Sequence, residues 1–187
     1  DSIVAMKKEF STGYYQMFIY VGVYDIKDKS EPVGNMCDKA NMAIKCMKGN
    51  YQKAVAYYDE AILEKELEQK KLIAEFDRAL ENDEFCVYLQ PQTDAEGACH
   101  GAEALVRWIH PKSGLMSPGA FVDCYEKCGL IHRLDEYVWE QAVKTLRRWM
   151  DLGRTDLHIS INISAKDFFY LDVYGVITGL VKKYGVN

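Results

Sequence analysis

The stretch Gly101-Ala102-Glu103-Ala104-Leu105-Val106-Arg107-Trp108 decides the reading of this chain. It is apolar and strand-like, yet it carries a carboxylate and a guanidinium. Side chains alternate between the two faces of a strand, so Glu103, Leu105 and Arg107 share one face and Ala102, Ala104 and Val106 the other. The turn His110-Pro111-Lys112-Ser113-Gly114 follows. Charged groups on a buried strand are costly unless something uses them. A metal ion for Glu103 and a phosphate for Arg107 are such uses.

The rest of the composition bounds the function. At 187 residues the chain is long enough for one or two domains, and with 49% hydrophobic residues it can bury a core. The formal net charge is −5, and no strongly basic segment stands out, which argues against duplex nucleic acid as a partner. A small phosphate ligand needs only a local cluster of cations. The chain starts at Asp1 with no charged-then-apolar leader. No apolar run approaches the roughly 20 residues of a membrane span. Cys37, Cys46, Cys86, Cys99, Cys124 and Cys128 lack paired zinc spacing and read as reduced thiols of a cytoplasmic protein. Any membrane anchor is expected upstream.

Outward from the deciding stretch, the pattern gives further elements. Residues 1–12 read as the end of a helix, Tyr14 to Tyr24 as a strand, and Asp25 to Gly34 as a polar loop. Val33 to Lys48 has helical spacing through Met36, Ala40, Ala43, Ile44 and Met47, with Gly49-Asn50 closing it. Tyr51 to Tyr58 suits a short strand. Asp59 to Glu81 is a strong amphipathic helix, apolar through Ile62, Leu63, Leu67, Leu72, Ile73, Phe76 and Leu80. It is expected to join two halves of the chain.

Phe85 to Pro91 reads as a strand ending at the proline, Thr93 to Gly97 as a turn, and the Glu103 strand follows. Ser117-Pro118 has the form of a helix start, with serine as cap and proline in the first turn. Phe121, Val122 and Tyr125 are expected in the core and Gly129 at the helix end. Leu134, Val138, Ala142, Leu146 and Trp149 step through a longer helix that Gly153 closes. Leu157 to Ser164 alternates as a strand, with Leu157, Ile159, Ile161 and Ile163 on one side and His158, Ser160, Asn162 and Ser164 on the other. Asp172 to Tyr184 reads as a final amphipathic helix. This order suits the opening of an α/β barrel or an open α/β sheet. In a barrel, Gln90, Glu103, Arg107 and Asn162 are expected at or near the functional C-terminal strand ends.

Two family resemblances attach to these residues. The run Val21-Gly22, a loop, then Ala40-Asn41-Met42-Ala43, Lys48 and Gly49-Asn50 resembles the last third of a GGDEF domain, which in active members makes cyclic di-GMP from GTP. Asn41 stands at the usual acidic position and Lys45 at the usual tyrosine. The signature motif would lie upstream of Asp1, so the chain as given is not expected to act as a cyclase.

The second resemblance is more specific. Tyr88-Leu89-Gln90-Pro91, Glu103-Ala104-Leu105-Val106-Arg107-Trp108, His110-Pro111, Pro118, Phe121, Gly129-Leu130-Ile131, Leu134-Asp135, Trp149 and Ile161-Asn162-Ile163-Ser164 resemble, in order and spacing, the first two-fifths of an EAL domain. That family comprises the cyclic di-GMP phosphodiesterases. The resemblance implies a partial TIM-like (β/α) barrel over 83–187, preceded by a GGDEF-like α+β part over 1–58 and a helical linker over 59–82. It implies Glu103 and Asn162 as ligands of Mg²⁺ or Mn²⁺, and Gln90, Leu105 and Arg107 as contacts to cyclic di-GMP. It also implies a homodimer, since active members commonly pair through their barrels. No catalytic group falls within the segment. The family's remaining carboxylates, general-base glutamate and lysine would lie downstream, so this segment alone is expected not to hydrolyse the dinucleotide.

The reading is thus a fragment of a metal-dependent cyclic di-GMP phosphodiesterase. An alternative is a non-catalytic cyclic di-GMP receptor with degenerate GGDEF and EAL domains. A third is an unrelated barrel enzyme acting on a phosphorylated substrate.

Overall fold

The structure, a computed structural model, describes residues 19–47 and 54–186. The helix end over 1–12, the first part of the Tyr14–Tyr24 strand, Lys48, Gly49-Asn50 and the start of the strand after them lie outside the described residues. The chain divides into two compact units, Asp1–Glu68 and Gln69–Asn187.

In the first unit, strand β1 (Val21–Val23) pairs in parallel with β2 (Val55–Tyr57), and helix α1 (Val33–Lys45) lies between them in sequence. Parallel neighbours need such a crossover. Gly22 lets the helix approach the strand closely, because a Cβ there would lie 2.0 Å from the Ala40 carbonyl oxygen. Ala43 is fully buried. Lys39 pairs with Glu31 at 2.6 Å, and the Tyr24 hydroxyl donates to Glu31 at 2.9 Å.

Helix α2 runs Glu60–Glu81, close to the joining helix read from the sequence. Its second half is not a solvated connector. Leu72, Phe76 and Ala79 are buried in the core of the second unit with Phe85, Trp108, Phe121, Tyr125, Ile131 and Leu134. Five aromatic rings interlock there: Phe76 and Tyr125 meet edge to face at 4.8 Å, and Phe85 and Trp108 lie 5.0 Å apart. Such pairs add about 0.5–1.5 kcal/mol each beyond the area they bury. The polar atoms of this core are matched. The Trp108 indole donates to Glu84 at 3.0 Å, the Tyr125 hydroxyl to the Leu72 carbonyl at 3.2 Å, and the Tyr137 hydroxyl to the Phe85 carbonyl at 2.6 Å. Burial pushes both tyrosine hydroxyls above their ordinary range.

The sheet of this unit contains β3 (Phe85–Thr93), β4 (Cys99–His110), β5 (Gly114–Met116) and β6 (His158–Ser160). β3 and β5 flank β4 antiparallel, and β6 pairs with β4 in parallel. Between β5 and β6 come a short 3₁₀ turn (Pro118–Ala120), α3 (Val122–Cys128) and the long α4 (Ile131–Asp151). After β6 follow α5 (Asp167–Tyr170) and α6 (Val173–Tyr184). One face of the sheet packs on α4: Ala104, Val138 and Ala142 are buried, with Val87, Val106, Ile159 and Ile161 against them. These are the alternate residues of β4 and the apolar side of the Ile159 strand, as the alternation predicts.

Several boundaries differ from the sequence reading. β3 continues through Pro91 to Thr93, because among the described residues β3 pairs with a neighbour on one side only and an edge strand tolerates a missing N–H. β6 stops at Ser160; from Ile161 the chain leaves the ladder, and the expected alternation ends with it, since Asn162 and Ile163 are both exposed. Ser117 precedes the 3₁₀ turn but makes no capping bond with its side chain. Gly129 ends α3 with φ of 83°, a left-handed conformation that glycine adopts without strain. The short α5 had no helical period to reveal it.

Candidate functional site

Strand register assembles the site. Gln90 of β3 lies opposite Glu103 of β4, and Glu103 lies opposite Ser160 of β6. Residues in register across a sheet share a face, so Gln90, Glu103 and Ser160 form one row. Tyr88 opposite Leu105, and Cys86 opposite Arg107, extend the same face along β4. This face is the one turned away from α4.

The site is centred on Glu103 and Asn162, 59 residues apart in sequence. The Asn162 amide Nδ2 donates to Glu103 Oε1 at 3.0 Å. That bond leaves Asn162 Oδ1 and Glu103 Oε2 as further oxygen acceptors of the pair. Glu103 is half-buried and Asn162 exposed, so a ligand can reach them. Both atoms are hard oxygen donors, the type that Mg²⁺ and Mn²⁺ prefer. The pair therefore fits part of a cation's coordination shell. Among the described residues, no group of three or more His, Cys, Asp and Glu side chains gathers to hold an ion.

Gly101 sets the spacing of the two strands that carry this pair. A Cβ at 101 would lie 2.3 Å from the His158 carbonyl oxygen and 2.9 Å from its ring. Over this bare position Gln92 reaches from β3 to β6. Its Oε1 accepts from His158 Nε2 and from the Ser160 hydroxyl, each at 3.2 Å.

Arg107 lies over the Tyr88 ring, 5.7 Å from its centre, and donates through Nη1 to the carbonyl of Val106 at 2.8 Å. It makes no ion pair among the described residues, neither with Glu103 nor with Asp135. Among the described residues its other N–H groups meet no acceptor, so they can meet an anion. Cys86 sits opposite; burial raises its thiol despite the nearby guanidinium. Leu105 borders a cavity of about 260 Å³, shared with Glu126, Asp135, Asn162 and Ser164. Gln90 is exposed in the same row as Glu103.

The structure thus brings Gln90, Glu103, Leu105 and Arg107 to one face of one sheet, with Asn162 just past the end of β6 and bonded to Glu103. Their place along the strands differs from the expectation of strand ends. Glu103 stands mid-strand, because β4 runs to twelve residues. Only Asn162 lies beyond the end of its strand.

Sequence reasoning missed the groups that hold these residues. The indole of Trp139, fully buried on α4, donates to the Asn162 carbonyl at 3.0 Å. The buried Asp167 accepts the backbone N–H of Ser164 at 2.7 Å. The Ser164 hydroxyl donates to Glu126 at 3.3 Å, and Lys166 donates to the Glu126 carbonyl. Trp139 carried a signal, since a buried indole needs an acceptor. Asp167 carried none, because an aspartate in a polar loop reads as surface.

The sequence profile of the EAL domain matches residues 73–185. Among curated relatives, the bifunctional diguanylate cyclase/cyclic di-GMP phosphodiesterase MucR of Pseudomonas aeruginosa is 34% identical over 130 residues, covering 69% of this chain and 19% of its own length. The signaling protein YkoW of Bacillus subtilis is 36% identical over 150 residues, covering 78% of this chain and 18% of its own. Among solved structures, the MucR phosphodiesterase in complex with c-di-GMP superposes with a TM-score of 0.59 at 33% identity, over 62% of this chain and 47% of that one. The chain therefore spans about a fifth of these two curated relatives and about half of that solved chain. No helix among the described residues is long and apolar enough to cross a membrane.

Proposed function

This chain belongs to the EAL domain family, and from that premise we propose that it forms the N-terminal part of a cyclic di-GMP phosphodiesterase domain. The observation that carries the reading is the 3.0 Å contact between Asn162 and Glu103, which brings together a carboxylate and an amide 59 residues apart. Glu103 and Asn162 would hold a Mg²⁺ or Mn²⁺ ion. Bound divalent ions of this kind supply a hydroxide nucleophile at neutral pH and neutralise charge on the phosphate. Arg107, braced on Tyr88, would bind a phosphate oxygen of cyclic di-GMP. Gln90 and Leu105 would line the groove beside it. Two oxygen ligands are too few for a working centre, so the complete domain would contribute further carboxylates.

The reading extends to the rest of the chain. Residues 1–58 would be the C-terminal part of a GGDEF-like domain, an assignment supported by the parallel β1–α1–β2 unit and its glycine at 22. Residues 59–82 would join the two, with their second half docked in the core that follows. Two copies of the complete domain would pair.

The test is hydrolysis of cyclic di-GMP to the linear dinucleotide by the complete domain with Mg²⁺ or Mn²⁺. Glu103→Gln is expected to lower the rate by more than about 100-fold, beyond the loss typical of an outer-shell partner. The 187-residue chain alone is expected to show no turnover. Tight binding of the dinucleotide by the complete domain without hydrolysis would assign it as a receptor instead.

A further inference from the structure

Asp135 on α4 and Asp167 at the start of α5 form a hydrogen-bonded carboxyl pair behind the segment that carries Asn162. Asp167 has no exposed surface. Its Oδ2 accepts the Ser164 N–H, while its Oδ1 meets no ordinary donor. Ionised carboxylates are acceptors only, so the two can bond to each other only when one proton lies between them. Burial, and then the charge and hydrogen bond of Asp167 and the charge of Glu126, push Asp135 up to about 8. Among the described residues, no cation relieves the pair. Lys166 is directed at the Glu126 carbonyl, and the His132 ring, with its buried Nδ1 unpartnered, stacks on Tyr170 at 4.8 Å.

The Asn162 segment needs such support. It has left the sheet after Ser160, so no ladder fixes it. Two side chains grip it instead: Trp139 at the Asn162 carbonyl, and Asp167 at the N–H of Ser164, two residues on. We infer that the proton-sharing Asp135–Asp167 pair, with the Trp139 indole, is a positioning device that clamps the Ile161–Ser164 segment and holds Asn162 against Glu103. Its functional meaning rests on the reading of Asn162 as a metal ligand. Its geometry does not.

NMR of the isotope-labelled 187-residue chain tests it. The Asn162 side-chain amide signals are expected to move together with the Asp135 carboxyl carbon, in one titration with a midpoint near 8. Asp167→Asn is expected to hold the Asn162 signals at their low-pH position up to pH 9 and to abolish the titration. The new amide donates to ionised Asp135, and its oxygen still accepts from Ser164. Asp167→Ala is expected to shift the Asn162 signals at every pH; if that variant loses its folded spectrum, Asp167→Asn decides alone. Asn162 signals that stay fixed while Asp135 titrates would overturn the inference. An Asp135 carboxyl titrating near the ordinary value of about 4 would do the same. Added Mn²⁺ separates the two readings. Broadening at Glu103 and Asn162 supports the ligand assignment, and its absence would remove that assignment while leaving the pH response to judge the clamp.

Discussion

His110 is 3% exposed, and its two ring nitrogens have opposite roles. Nδ1 accepts the backbone N–H groups of Lys112 at 3.2 Å and Ser113 at 2.9 Å, so the hydrogen resides on Nε2, which donates to Glu75 at 2.8 Å. Burial alone would raise the Glu75 carboxyl, but the His110 hydrogen bond and neighbouring cations hold it below its ordinary value. His110→Leu strands two amides and a carboxylate, and is expected to cost about 1–3 kcal/mol in urea unfolding. Asp135, beside Asp167, makes the reverse contribution. A carboxyl raised in the folded state keeps its proton where the unfolded chain has lost it. Stability is then greatest below about pH 4 and falls as pH rises toward 8. Asp167→Asn is expected to flatten that slope in unfolding measured from pH 5 to 9. Glu103 and Asn162 were legible because strand parity and the surrounding run mark them. His110 read only as a turn residue, and Asp167 was silent, since nothing in a sequence announces that a polar loop is buried.

Helix α6 shows how an element is fixed to its neighbour by charge. Glu140 on α4 accepts from Lys183 at 2.7 Å and from the Tyr184 hydroxyl at 2.6 Å, and Arg147 donates to the Gly185 carbonyl at 2.9 Å. The Lys183 and Tyr184 hydrogen bonds pull the Glu140 carboxyl down to about 2 from 4.5. The lowered value means that this contact stabilises the folded state above pH 4.5 and fades as pH falls toward 2. Protection of the α6 amides, taken relative to the unfolded-chain exchange rate at each pH, is therefore expected to fall between pH 5 and pH 3, and Glu140→Gln is expected to show low protection at both. The long helices were readable because their apolar residues recur at three and four. Strands were readable in kind but not in length. β3 passes through Pro91 since, among the described residues, its outer edge has no partner to satisfy, a fact of topology that local sequence does not contain. β6 is cut short for a related reason: Ile161 to Ser164 alternates in sequence, but among the described residues it pairs with no strand.

The second unit depends on one aromatic cluster that draws on α2, β3, β4 and α3 together. Phe85 touches four of the other rings' owners, Phe76, Trp108, Phe121 and Tyr125. Phe85→Ala is expected to cost about 3–5 kcal/mol, a large share of the roughly 5–15 kcal/mol that holds a domain folded. Thermal unfolding followed by near-ultraviolet circular dichroism would read the loss. The site lies on the sheet face opposite α4, and it inherits its dimensions from a different source. Gly101 and His158 meet backbone to backbone, so the gap between β4 and β6 is that of the ladder itself, about 4.8 Å, whatever the helices do. Lineages can therefore exchange one packing residue for another behind the sheet, letting the helices drift, while the seat for an ion keeps its calibre.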